Sequence, residues 1–156
     1  MAEFGCVVHS YDPTVELPDN STNLNFYSMG LGPTDDPKNT KMPVLTLETL
    51  LKQNGDWQKP ITYLKLDIEQ SEIRVMEQLM KTDILDSVSQ IGIEVHTGEL
   101  YGEPAQTWGL SSLLKSFYYL HSKGFRLVYY YPNGCMHKSY DTEETFYSFF
   151  DLLWTK

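Results

Sequence analysis

Short apolar runs alternate with amphipathic stretches along most of this 156-residue chain. The runs are rich in β-branched and aromatic residues, and most of them end at or near glycine, proline or acidic residues, which predicts strands. The predicted strands are CVVHSYDP, LNFYSMGLG, ITYLKLDI, QIGIEVH, FRLVYYYP and TFYSFFDLLW. Strands that alternate with helices pair in parallel through right-handed crossovers, so the pattern predicts an α/β fold.

Three segments between the strands carry apolar residues at helical spacing. The first begins after Thr46, a residue suited to the N-cap, and can end at Gly55. The second is SEIRVMEQLMKTDIL, with Ser71 at the N-cap position, and the third contains LSSLLKSF and is followed by Gly124. The predicted order is β-β-α-β-α-β-α-β-β, in one partial domain that covers residues 1–156.

Two connections complete this prediction. The loop TGELYGEP, residues 97–104, follows the fourth strand and leads to the third helix. No helical pattern separates the last two strands, so we expect them to be antiparallel, joined by a connection that contains Pro132, Asn133 and Gly134. The predicted sheet is therefore mostly parallel, with an antiparallel strand at the C-terminal end.

The charge and the missing motifs exclude several classes of function. The formal net charge is -9 and is spread along the chain, so a phosphate backbone would be repelled and nucleic acid is not an expected partner. No run of about eighteen apolar residues occurs, so we expect no membrane segment and a soluble chain. GxSxG, P-loop and HExxH motifs are absent, and Cys6 and Cys135 lack zinc-site spacing. The sequence leaves the localisation and the oligomeric state open.

The candidate chemistry lies where two predicted strands end. Asp67 and Glu69 follow the third strand, and Glu94 and His96 end the fourth. Carboxyl ends of neighbouring parallel strands meet at one edge of a sheet, so we expect these four side chains to share a pocket. Such a group could bind a sugar or an amine, act as a general acid or base, or hold a divalent cation.

A purely structural interpretation of the same residues stands beside the functional one. Glu69 can favour the first helical turn through the helix dipole, Asp67 can cap that helix, and His96 can be a hydrogen-bonded loop residue. Asp12 is a separate case, since it ends the first predicted strand before Pro13. It could accept hydrogen bonds from ribose hydroxyls, or it could simply terminate the strand.

Several segments resemble one enzyme family. LKLDIEQSEIRVME resembles the LKxDxExxExxVL block of the FkbM-like methyltransferases, and IGIEVH resembles the strand that follows that block. FGCVVHSYDP, FYSMGLG and LHSKGFRLVYYY also have counterparts, in the same order, in one animal subgroup of the family. The resemblance covers nearly the whole chain.

This resemblance implies a Rossmann-like class I methyltransferase fold. Such a fold has a seven-stranded, doubly wound sheet that binds S-adenosylmethionine at its carboxyl edge, with an antiparallel last strand inserted between its neighbours. By position, Asp12 would hold the ribose of the cofactor and Asp67 would stand near the transferred methyl group. Glu94 and His96 would face the acceptor, a small molecule, glycan or peptide, and take the proton of its hydroxyl. The resemblance assigns no metal ligand.

One part of the family pattern is missing. The first strand and the glycine-rich turn of the family should precede FGCVVHSYDP, and only Met1, Ala2 and Glu3 do so. The resemblance therefore predicts an N-terminally truncated domain with an incomplete cofactor site. Two other interpretations remain open: a non-catalytic α/β domain that serves in binding or interaction, and a metal-dependent enzyme. The latter would use the four residues Asp67, Glu69, Glu94 and His96.

Overall fold

The computed structural model describes residues 2–15, 23–96, 110–138 and 145–156. The loop predicted at residues 97–104 lies outside this range. The chain forms two compact units, Met1–Trp57 and Gln58–Lys156.

The first unit contains two small parallel sheets. β1 (Val8–Tyr11) pairs with β2 (Leu24–Tyr27), and β3 (Gly30–Leu31) pairs with β4 (Val44–Leu45). The segment LNFYSMGLG, predicted as one strand, therefore contributes to two sheets. A tight turn causes this division, because the backbone N–H of Met29 donates to the carbonyl of Tyr27 at 2.8 Å.

Helix α1 (Leu47–Gln53) begins and ends as the sequence predicts. The hydroxyl of Thr46 accepts a hydrogen bond from the Thr49 N–H at 3.3 Å, which is the N-cap interaction. Asp35 adds a second contact, because its Oδ1 accepts from the Thr46 N–H at 2.7 Å. Gly55 follows the helix with a φ of 73°, a left-handed conformation that favours glycine.

The second unit is built on one four-stranded mixed sheet. β5 (Ile61–Leu66) and β6 (Val88–His96) are parallel, while β7 (Arg126–Lys138) and β8 (Thr145–Thr155) are antiparallel to each other. The spatial order is β5-β6-β8-β7, so β8 lies between β6 and β7. The predicted antiparallel pairing of the last two strands is confirmed.

The connection between β7 and β8 lies later than predicted. Pro132, Asn133 and Gly134 belong to β7, and the strand continues to Lys138. Two features accommodate these turn-type residues. β7 pairs only with β8 in the described sheet, so a proline without an N–H is tolerated at this edge. A register irregularity between Asn133 and Met136 takes up the remaining distortion.

Helix α2 (Glu72–Leu79) and helix α3 (Leu110–Ser122) follow β5 and β6 in the chain. α2 is shorter than predicted, and a 3₁₀ turn at Ile84–Ser87 replaces its expected end. Its apolar stripe is buried, as are Leu66 at the end of β5 and the central residues of β6. The buried side chains include Leu66, Ile73, Val75, Met76, Leu79, Ile91, Ile93 and Val95.

The fold class is therefore α/β, with three α-helices and a mixed sheet within the described residues. The strands form sheets of two, two and four members, whereas the resemblance implies a single sheet of seven. In the part of the chain that the structure describes, none of the helices has the length and apolar character needed to cross a membrane.

Candidate functional site

The register of β5 and β6 brings two candidate carboxylates to neighbouring positions. Leu66, the last residue of β5, pairs with Ile93 of β6, so Asp67 and Glu94 each follow directly after this pair. Leu66 and Ile93 are both buried, which anchors the two strand ends. The sequence-based expectation that these strand ends meet at one sheet edge agrees with the observed register.

Asp67 is partly exposed and has a cation beside it. The Nζ of Lys65 donates to Asp67 Oδ2 at 3.0 Å, and 36% of the Asp67 side chain is exposed. This hydrogen bond is the main reason that the pKa of Lys65 is raised, with a smaller contribution from the charge of Glu94. Ser71, four residues after Asp67, occupies the N-cap position of α2. The Asp67 carboxylate faces other charged groups.

Glu94 lies in a negatively charged environment. Burial raises the pKa of its carboxyl, and the charges of Asp67 and Asp151 raise it further. Asp151 lies directly opposite Glu94 in the β6–β8 pairing. The Nδ2 of Asn133 donates to Glu94 Oε1 at 2.8 Å, which acts in the opposite direction and lowers the pKa. Glu94 is therefore a carboxyl group that binds its proton more tightly than an ordinary glutamate.

His96 is held by a buried carboxylate that the sequence analysis did not select. Its Nδ1 lies 2.9 Å from Oε1 of Glu72, and the two side chains are only 4% and 2% exposed. The same oxygen accepts a hydrogen bond from the Ile68 N–H at 2.9 Å. Burial works to lower the pKa of His96, but the Glu72 hydrogen bond and the nearby carboxylates outweigh it, so the pKa is raised.

Glu69 approaches the other nitrogen of the same ring. Its Oε2 lies 3.7 Å from His96 Nε2, and 52% of its side chain is exposed. Glu69 and Gln70 have φ values of 51° and 75°, so both adopt the left-handed conformation that is uncommon for non-glycine residues. Glu69 therefore lies in the turn before α2, not in the first helical turn, and the dipole interpretation of its role loses its basis.

Asp12 belongs to the first unit and follows the last residue of β1. Its Oδ1 accepts from both the hydroxyl and the N–H of Thr14, at 2.6 and 2.8 Å. These two hydrogen bonds lower the pKa of Asp12 and stabilise its ionised form. The side chain is a partly exposed carboxylate at a strand end, and its predicted ribose contact stays a prediction.

Sequence reasoning missed two contributors, Glu72 and Asn133. Glu72 carried a usable signal, because it lies three and four residues before Val75 and Met76 and thus on the buried stripe of α2. A carboxylate on a buried helix face requires a partner, and here the partner is His96. Asn133 carried no such signal, since its contact with Glu94 joins positions 39 residues apart.

A separate hollow of about 270 Å³ lies elsewhere in the second unit. It is lined by aromatic and apolar side chains of α3 and β8, namely Leu114, Phe117, Tyr118, His121 and Trp154. None of the predicted site residues contributes to its lining. The charged cluster at the ends of β5 and β6 is instead an open surface site.

Comparison with known proteins identifies relatives of this sequence. The chain is 28% identical to "Probable methyltransferase-like protein 24" of Homo sapiens over 145 residues, which is 85% of this chain. It is also 28% identical to the protein of the same name from Rattus norvegicus over 145 residues. The chain spans 38% and 39% of the lengths of these two proteins. No solved structure shows a significant match to it.

A protein-family model covers most of the chain. The model described as "Methyltransferase FkbM domain" matches residues 6–127, which include Asp12, the ends of β5 and β6, and helix α2. The resemblance seen in the sequence is thereby confirmed. The chain belongs to the FkbM methyltransferase domain family.

Proposed function

We propose that this chain carries a methyltransferase site that uses S-adenosylmethionine to methylate a hydroxyl group. Membership of the FkbM family supports the reaction type. The single observation that carries the proposal is the placement of Asp67 and Glu94 at neighbouring carboxyl ends of two parallel strands. Ligands of open α/β sheets bind at such ends.

Glu94 is the residue that we assign as the proton acceptor. Methylation of a hydroxyl requires loss of its proton, and a base is most effective when its pKa lies near the working pH. The pKa of Glu94 is raised by burial and by two neighbouring carboxylates, so it is a stronger base than an ordinary glutamate. Asn133 holds Oε1 at 2.8 Å and thereby restricts the orientation of the carboxylate.

His96 and Asp67 have supporting roles in this proposal. The buried Glu72 fixes the His96 ring through Nδ1, so the edge that carries Nε2 keeps one orientation. A fixed ring can position an acceptor hydroxyl beside Glu94. Asp67 contributes negative charge at the same edge, and its partly exposed carboxylate can attract a positively charged group.

The acidic residues suit S-adenosylmethionine, which supplies a methyl group on a positively charged sulfur. The pKa of Asp12 is lowered by its hydrogen bonds from Thr14 and its side chain is partly exposed, and a carboxylate of this kind accepts hydrogen bonds from ribose hydroxyls. Asp67 offers negative charge to the cationic part of the cofactor. The family resemblance assigns Asp12 to the ribose, and within the second unit we propose Asp67 as a cofactor contact, with Glu94 and His96 serving the acceptor.

For the acceptor, we propose only a chemical class. A hydroxyl of a small molecule, a glycan or a peptide fits an open, acidic surface site, whereas a polyanion does not fit it. The chain spans only 38% of the length of the human relative that it matches. Methyl transfer by a longer protein that contains this domain is therefore also a proposal.

Isothermal titration of this chain with S-adenosylmethionine tests the proposal. We expect saturable binding to the wild-type chain and roughly 10-fold weaker binding to Asp12→Asn and Asp67→Asn, because each loses a charge-assisted interaction. Glu48→Gln is the matched control, since Glu48 is a partly exposed carboxylate that pairs with Lys52 on α1. Its affinity should equal that of the wild type.

Transfer of a labelled methyl group to pooled hydroxyl compounds, glycans and peptides then tests the assigned base. We expect Glu94→Gln to lower the rate at least about 100-fold while S-adenosylmethionine affinity stays unchanged. A folded wild-type chain that binds no S-adenosylmethionine would contradict the proposal and favour a non-catalytic binding domain.

A further inference from the structure

Three side chains at the site lie close enough to surround one cation. Asp67, Glu69 and His96 each offer one ligand atom, and these atoms all lie within 4.8 Å of one another. Ligands that bind one ion at about 2.0–2.2 Å are at most about 4.4 Å apart. The side chains of Asp67 and Glu69 are both at least partly exposed, so a small adjustment of these two can bring the three atoms to a common centre.

The histidine has the support that metal-bound histidines have. A ligating imidazole usually donates its other ring N–H to a carboxylate, which fixes both the tautomer and the ring orientation. Here Nδ1 of His96 meets Glu72 Oε1 at 2.9 Å, and both side chains are almost fully buried. With Nδ1 as the donor, Nε2 carries the lone pair, and this is the atom that lies nearest to Glu69.

Glu72 is itself fixed, so the support is rigid. Its Oε1 also accepts the Ile68 N–H at 2.9 Å, one residue beyond Asp67 in the chain. The same carboxylate thus ties the turn that carries Asp67 to the ring of His96. Glu72 therefore connects two of the three possible ligand residues without being a ligand itself.

The balance of charge also favours a dication. Four carboxylates gather here, those of Asp67, Glu69, Glu72 and Glu94. The cationic partners are Lys65, bound to Asp67 Oδ2 at 3.0 Å, and His96 when it is protonated. Lys65 is 53% exposed and can turn away from Asp67 at little cost, so it does not block an ion.

We propose that Asp67, Glu69 and His96 form a binding site for a divalent transition-metal ion of the Zn²⁺ or Mn²⁺ kind, with Glu72 as the positioning residue for the imidazole. The mixture of imidazole and carboxylate ligands suits these ions better than Ca²⁺. Three protein ligands leave coordination positions for water or a substrate oxygen. This site does not depend on the proposed methyl transfer.

The direct test is calorimetric and thermal titration of chelator-treated protein with Zn²⁺, Mn²⁺ and Ca²⁺ in separate experiments. We expect one ion of Zn²⁺ or Mn²⁺ per chain, a rise in melting temperature on binding, and weaker binding of Ca²⁺. Affinity should also fall as the pH is lowered, because the ion and a proton compete for His96. Absence of saturable binding to the wild-type chain would overturn the proposal.

Substitutions of the proposed ligands and of Glu72 test where the ion binds. Glu69→Gln changes an exposed side chain, so it should fold normally and bind at least 10-fold more weakly, as should Asp67→Asn. Glu72→Gln keeps an acceptor for Ile68 but alters the support of His96, and we expect a 10- to 100-fold loss. Glu48→Gln is the control and should bind as the wild type does. Equal affinity in Glu69→Gln and the wild type would show that the ion binds elsewhere and would also overturn the proposal.

A nuclear magnetic resonance experiment supplies a readout that needs no activity. Bound Mn²⁺ should broaden the imidazole signals of His96, which are assigned by their loss in His96→Gln. S-adenosylmethionine binding is measured separately on metal-free protein, so a failure of the cation site and a failure of the proposed methyltransferase function give different results.

Discussion

The starts of helices α1 and α2 look alike in sequence and are built differently. Before α1, the hydroxyl of Thr46 accepts the Thr49 N–H, and Asp35 accepts the Thr46 N–H. Before α2, Ser71 makes no capping hydrogen bond, and the buried Glu72 accepts from Ile68 and contacts His96. The first arrangement serves the helix alone. The second ties a helix to a strand end that carries candidate chemistry.

A helix cap and a candidate site can therefore compete for the same positions at the start of a helix. At α1 the polar groups are exposed or only partly buried, so each contact contributes modestly to stability. At α2 the Glu72 carboxylate is only 2% exposed. A buried carboxylate without hydrogen-bond partners would lower the stability of the folded state strongly, so its contacts with Ile68 and His96 are required. The difference can be measured by removing one group from each helix start.

The largest effect is expected from Glu72→Leu. This change removes the acceptor for the Ile68 N–H and for His96 inside the protein, so we expect the free energy of unfolding to fall by about 3 kcal/mol. Urea unfolding gives the value. Glu48→Leu is the matched control and should change stability by about 0.5 kcal/mol or less, because its ion pair with Lys52 is partly exposed. Equal losses in the two variants would contradict the role of the buried pair.

A smaller effect is expected from Thr46→Ala. Loss of the hydrogen bond to Thr49 should lower the free energy of unfolding by about 1 kcal/mol, the usual contribution of an N-cap. Ser71→Ala is the paired test at α2, and we expect a change within about 0.5 kcal/mol because Ser71 makes no capping bond. Urea unfolding of both variants checks the result. A larger loss of unfolding free energy in Ser71→Ala than in Thr46→Ala would contradict the conclusion that Thr46, and not Ser71, caps its helix.

The smallest effect is a pH dependence at the α1 start. The Thr46 N–H and the Thr49 hydroxyl hydrogen-bond the carboxylate of Asp35, and together they hold its pKa below the ordinary value. A lowered folded-state pKa means that this contribution is present above the unfolded pKa and is lost as the pH falls through the folded pKa. Thr49→Val should therefore raise the pKa of Asp35, as measured by carboxyl carbon resonances. An unchanged pKa would show that the Thr49 hydroxyl contributes nothing.

Much of the fold could be predicted because the deciding interactions are local. The apolar runs of β5 and β6 and the cap at Thr46 depend on neighbours in sequence, and the structure agrees with all three. The meeting of Asp67 and Glu94 also followed, because consecutive parallel strands end at one edge. These inferences required only periodicity and one topological rule.

The remainder depends on contacts between distant parts of the chain. The His96–Glu72 pair spans 24 residues, and the Asn133–Glu94 hydrogen bond spans 39. Pro132 looked like a turn residue, yet an edge strand accepts it because no neighbour requires its missing N–H. In each of these cases the surroundings in space, not the local sequence, determine what the residue does.

The left-handed pair Glu69 and Gln70 has a consequence for how this surface can change. Each such conformation costs about 1 kcal/mol or more for a residue with a side chain, and glycine would relieve the cost. At position 70, glycine would leave the neighbouring carboxylate intact, whereas at position 69 it would delete it. Glycine at position 70 would therefore remove backbone strain and keep the charge of this surface. Glycine at position 69 would remove the strain only together with the charge.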